Sequence, residues 1–246
     1  MLNFLKNHPF PVVAHFDYSI VLTFAVPKEI LQKQIPNCLT LDVFDDKYAF
    51  VAVAMVQTNK LRPKGFPKFC GNDFFLIGYR IFVRYTNEKG KNMRGLFILK
   101  SETDNKLMEY LGSIFTKYKY TTTDILIKKD NIKTCIKSTK SDFYVNITNQ
   151  KNDVNLPNNS PFPNWAAARR FAGPLPFTFS YDASKNEILI VEGVREHWTQ
   201  EPIEILDYHF AFLNANGFQN AILANAFIIK DIPYSWKKGK IEKWKN

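Results

Sequence analysis

The chain has 246 residues, 46% of them hydrophobic, and a formal net charge of +10. It is long enough to bury a large core without staples, and none of its apolar runs reaches the ~18–20 residues of a membrane-spanning helix. Its 22 Phe, 11 Tyr and 4 Trp suit sheets and pocket walls better than a helical bundle.

Strand signals dominate in chain order. Asp17 to Val26 is rich in β-branched and aromatic residues and ends at Pro27, where Lys28-Glu29 opens a short helix that stops at Pro36. Leu39 to Phe44 and Tyr48 to Gln57 read as a hairpin across Asp45-Asp46. Phe74 to Tyr85 and Gly95 to Ser101 read as a second pair. Asp104 to Phe115 is the best helix, with Leu107, Met108, Leu111, Ile114 and Phe115 on one face and Asp104 as its cap. It is expected to be the longest helix. Strands follow at Ile125 to Lys129, Ile132 to Ser138 and Phe143 to Thr148. The polar, Pro-rich stretch from Asn149 to Asn164 reads as a loop within one domain, residues 1–246. Phe177 to Asp182, Ile188 to Arg195, Pro202 to Asn214 and Ala221 to Ile229 complete the strands, the last ending near Pro233. Many strands with few helices imply an α+β fold, mainly antiparallel β.

The bulk chemistry narrows the partners. The lysines are spread along the chain with no nucleic-acid motif, so a solvated surface is expected rather than a nucleic-acid footprint. Cys38, Cys70 and Cys135 form no metal spacing, and the N-terminus has no apolar signal core. A cytoplasmic protein without metal or cofactor follows as the expectation. Self-association is left open.

Lys117-Tyr118-Lys119-Tyr120 is the most suggestive local motif. In an extended segment Lys117 and Lys119 share a face, and one ammonium lowers its neighbour's pKa, which makes a Schiff-base nucleophile. Tyr118 and Tyr120 compete for the inward face, and a buried tyrosine costs less than an unpaired ammonium. Glu102, Asp104 and Glu109 bracket the helix as candidate acids or bases. His197-Trp198 is a candidate cavity wall, and Arg169-Arg170 either a carboxylate clamp or the polar face of a helix.

Several stretches together resemble a known superfamily. Phe24-Ala25-Val26-Pro27 with Ile35-Pro36 is similar to the opening of acetoacetate decarboxylase-like proteins. Glu196-His197-Trp198-Thr199, Leu206-Asp207-Tyr208-His209 and Phe212-Leu213-Asn214 resemble the last third of the decarboxylase itself. Tyr79-Arg80-Ile81, Ser101-Glu102-Thr103-Asp104, Arg170-Phe171-Ala172-Gly173-Pro174 and Pro233-Tyr234-Ser235-Trp236 look more like an uncharacterised bacterial family of that superfamily. The resemblance runs from about Phe16 to Trp236. It implies a closed or nearly closed β-barrel-like sheet with a few helices around a cavity that takes a small-molecule ligand.

The decarboxylase forms a Schiff base on one member of a lysine pair. Aligned through the helix, that lysine's position holds Tyr120, with Lys119 one residue before it and Lys117 two before that. The arginine in the family's first strand falls at Asp17. A register shift of one restores Lys119 to that position, so the resemblance points to Lys119, Lys117 and Glu102 as catalytic candidates and to Arg80, Tyr120, Glu196, Trp198 and Lys106 as ligand contacts. It leaves open whether the chain is a decarboxylase-like lyase acting on a keto acid or a non-catalytic binding module for an organic acid or apolar ligand. An enzyme of this type needs Lys106, Lys117 or Lys119 inside the cavity.

Overall fold

A computed structural model describes residues 4–150, 153–196 and 198–244. Strand β1 (Val12–Pro27) leads into helix α1 (Lys28–Gln32), then β2 (Thr40–Leu41), β3 (Tyr48–Pro63), β4 (Asn72–Thr86) and β5 (Asn92–Thr103). Helix α2 (Lys106–Phe115) precedes β6 (Tyr120–Thr122), β7 (Leu126–Lys129), β8 (Lys133–Ser138) and β9 (Phe143–Thr148). Helix α3 (Trp165–Ala172) is followed by β10 (Phe177–Asp182), β11 (Glu187–Arg195), β12 (Glu201–Pro202) and β13 (Ile205–Phe210). Helix α4 (Ala211–Ala215), β14 (Ile222–Trp236) and β15 (Lys240–Lys243) complete the chain.

The fold is mainly antiparallel β. Its large sheet runs β14-β1-β3-β4-β5-β10-β11, and β11 pairs back onto β14 through Gly193 and Trp236, so seven strands form a near-ring. Two pairings, β5 with β6 and β5 with β10, are parallel. A second sheet, β13-β9-β8-β7, packs on the outer face of the ring. Leu22, Val53, Ile77 and Tyr79 of the ring strands share one core with Ile136, Phe143, Val145 and Phe210 of the second sheet. The longest strands are covered on both faces, which explains apolar runs such as Ala49 to Val56 that do not alternate.

Helix α2 is the longest described helix. Its cap is Asn105, whose side chain accepts from the Leu107 and Met108 amides, while Asp104 accepts from the Phe75 amide at 2.8 Å. The expected hairpin over Asp45-Asp46 does not form as a strand pair: β3 already has β1 and β4 on its two edges, so β2 adds to β4 instead. Only a single bridge joins Phe44 to Tyr48. The stretch from Pro202 to Asn214, read as one strand, divides between β12, β13 and α4. Phe210 and Leu213 lie three apart and both are buried, a helical spacing at that point. Strand β14 continues past Pro233 to Trp236, with Asp231 in the left-handed region at φ 53°.

Candidate ligand-binding site

All seven ring strands turn side chains into the space they enclose. On β4, Leu76, Arg80 and Phe82 point inward, while Ile77, Tyr79 and Ile81 join the core on the opposite face. The β3 partners of Gly78 and Arg80 are Ala54 and Ala52. These small residues leave a cavity of about 120 Å³, where bulkier ones would fill a ring of this size. Gly173, Pro174 and Leu175, just after α3, border it too.

Arg80 is the central polar group. Its guanidinium folds back over Gly78, where an added Cβ would sit 3.0 Å from Nε. Nε has no hydrogen-bond partner, and among the described residues no carboxylate forms an ion pair with Arg80. Burial pushes its pKa below the ordinary guanidinium value, the nearby phenols of Tyr234, Tyr120 and Tyr118 oppose that shift, and Arg195 adds to it. Arg195, the second cavity cation, donates to the Leu175 carbonyl at 3.1 Å and the Tyr234 hydroxyl at 3.2 Å.

Two tyrosines form one wall. Tyr118 is 7% exposed, and its hydroxyl faces Thr178 without a well-formed hydrogen bond. Burial raises its phenol above the ordinary value and that of Tyr120 to about 12, with Arg80 pulling both back. The two rings meet edge to face at 6.3 Å. Together with Phe16, Leu76 and Trp236 they also bound a second, mostly apolar chamber of about 400 Å³ between the ring mouth and α2.

The residues singled out from sequence distribute as follows. Arg80 and Tyr120 meet in the ring cavity. Glu102 lies outside it because β5 carries a bulge: Tyr79 pairs with Lys100 but Arg80 pairs with Ile98, leaving Leu99 as an extra residue. Leu96 and Ile98 face the cavity before the bulge and Ser101 after it, so Glu102 turns to the other face. There it is buried, receiving the Ser141 hydroxyl at 2.5 Å and the Lys100 ammonium at 2.8 Å. On that face Glu102 and the exposed Lys106 border an open surface basin.

Lys117 pairs with Asp182 at 3.3 Å, and Lys119 is exposed on left-handed backbone at φ 55°. Neither lines the ring cavity. Glu196 is exposed, and Trp198 borders a surface groove beside Arg94, Arg169 and Arg170. His197 lies outside the described residues. Strand β1 turns Ser19 inward, and Asp17 outward to Asn59. Arg195, Tyr234 and Ser101 were not singled out. Tyr234 alternates with Ile232 and Trp236, a signal hidden by ending the strand near Pro233, whereas Ser101 faces the cavity only because of the bulge, which alternation along the strand does not reveal.

Solved structures of low sequence identity share this fold. Acetoacetate decarboxylase from Legionella pneumophila superposes with a TM-score of 0.60 at 11% identity, over 95% of this chain and 88% of that one. An acetoacetate decarboxylase-like enzyme from Sphingomonas wittichii gives 0.60 at 10% identity, over 98% and 95%. The enduracididine biosynthesis enzyme MppR complexed with pyruvate gives 0.56 at 9% identity, over 95% and 90%. No curated protein sequence matches. The fold is thus acetoacetate decarboxylase-like, and a sequence profile matching residues 14–235 places the chain in DUF2071, a family described as an uncharacterized conserved protein.

Proposed function

We propose that the ring cavity binds a small organic acid, with its carboxylate on Arg80 and the Tyr118 hydroxyl beside it, and that it does so without a Schiff base. The observation that carries this reading is Arg80 itself, a half-buried residue whose guanidinium Nε is shut off from solvent and has no partner. A buried cation without a counter-ion is costly, and a bidentate carboxylate offsets that cost. The fold supports it, since one similar structure holds pyruvate. The lining supports the second half, since no lysine borders the cavity among the described residues. The expected role is that of an acid-binding module within one domain, rather than a lysine-dependent lyase.

Calorimetry with pyruvate, acetoacetate and propanoate, against the matching amides, tests the reading. The acids bind and the amides do not. Arg80→Met weakens binding by roughly thirtyfold or more, the scale of losing one side of a buried charge pair. Borohydride reduction with either keto acid adds no mass to the protein. Equal binding by Arg80→Met, or a borohydride adduct on Lys117 or Lys119, would overturn the proposal.

A further inference from the structure

The ring cavity is too small for a whole ligand of ordinary size. At about 120 Å³ it falls below the roughly 300–1,000 Å³ of small-molecule pockets, and the adjoining chamber of about 400 Å³ falls within that range. The two adjoin along a common wall. Phe16, Leu76, Tyr118, Tyr120 and Trp236 line both, so the tyrosine pair stands at a neck between them. The chambers differ in chemistry. The inner one carries two guanidinium groups and the Tyr118 hydroxyl. The outer one is walled by Phe10, Leu61, Phe74, Met108, Leu111 and Phe115. Its one arginine, Arg62, already donates to the Phe66 and Lys60 carbonyls at 3.0 and 2.8 Å, and its polar wall groups without partners, His8 Nδ1, Thr58 Oγ1 and Asn72 Nδ2, are neutral. Half-exposed Phe66 stands at its rim.

We infer that the ligand is an amphipathic monocarboxylic acid, its carboxylate at Arg80 and its apolar body passing the Tyr118–Tyr120 neck into the outer chamber. This rests on the carboxylate reading above and adds the ligand's length and polarity. Two features support it. The unpartnered Arg80 Nε lies in the inner cavity and the apolar wall in the outer chamber, so a head-first acid satisfies both at once. And Tyr120 is held at the neck by α2: its ring lies against Gly112, where an added Cβ would come within 2.3 Å of it. A ligand that stopped at the neck would leave the outer chamber's apolar wall uncovered.

Calorimetry with propanoate, hexanoate and decanoate, kept below micelle-forming concentrations, tests the inference. Affinity rises from propanoate to decanoate by up to roughly fourfold per methylene, the equivalent of removing each from water. Decylamine and methyl decanoate bind at least tenfold more weakly than decanoate. Leu111→Trp, which fills the outer chamber, cancels the gain for decanoate while propanoate binds as before. Met108→Trp, one turn earlier on the same face of α2, does the same if Leu111→Trp lowers the melting temperature. If propanoate binds and decanoate binds no better, the length inference is wrong and the carboxylate site stands. If decylamine matches decanoate, or neither filled variant affects decanoate, the inference is likewise overturned. Binding by none of the three acids removes the carboxylate site itself.

Discussion

Arg80 and His8 illustrate opposite answers to burying a titratable group. Arg80 keeps its charge, and the cavity is shaped around it by Gly78, Ala52 and Ala54. His8, 6% exposed at the outer chamber, is held neutral: burial lowers its pKa from 6.5 to about 4. The folded state therefore resists a proton that the unfolded chain accepts. Stability from neutral His8 is complete above about pH 6.5 and falls as pH drops toward 4, by up to ~3 kcal/mol. His8→Asn keeps a residue that tolerates the left-handed backbone at φ 55°. In urea titrations the wild type loses ~3 kcal/mol more than His8→Asn between pH 7.5 and pH 4. Parallel losses would show that His8 does not govern this window. Nothing in the sequence marks this histidine, because the Phe115 and Gly239 backbones that bond to its own come from far along the chain.

At the scale of elements, α2 and the segment after it set the neck. The periodicity of Leu107 to Phe115 made the helix legible, and the alternation of Lys117 to Tyr120 made the competition for the inward face legible. Which pair faces the cavity was decided by partners far away in sequence: Asp182 holds Lys117 at the surface, and Ser101 pairs with Tyr120 in β6. Gly112 is the residue that lets Tyr120 pack flat on the helix. Helix propensity alone favours Gly112→Ala by ~1 kcal/mol. The added methyl instead meets the Tyr120 ring, and overpacking of this kind costs ~1–3 kcal/mol. The variant is expected to melt several degrees lower and to bind decanoate less tightly. An unchanged or raised melting temperature would show that Tyr120 yields freely. The bulge at Leu99 is the opposite case, an element feature with no signature in the chain. It alone separates Glu102 from Arg80, two residues that simple alternation would place in one cavity.

For the whole molecule, the two sheets share one core rather than two. Ile136, Phe143, Val145 and Phe210 close over the outer face of the ring at Phe24, Val53 and Tyr79. Neither sheet keeps its buried face without the other. Urea unfolding followed by tryptophan fluorescence and by far-ultraviolet circular dichroism is therefore expected to give one coincident transition. Two separated transitions would divide the chain into independent units.

The sequence by itself determined the strand-rich fold class, α2, most strand positions and the acetoacetate decarboxylase-like resemblance. These are local properties: periodicity, turn residues and short motifs act over a few residues. It also placed Arg80, through a family-like stretch, and Tyr120, through alignment of α2, among the candidate wall residues, and both border the ring cavity. Tertiary structure alone decided the rest. Closure of β11 onto β14 brings Arg195 and Tyr234 together from positions 39 residues apart. One inserted residue in β5 sends Glu102 to the far side of the sheet. A cavity is a set of side chains that share a face after long-range pairing, and a shift of one residue in that pairing reverses which side chains belong to it.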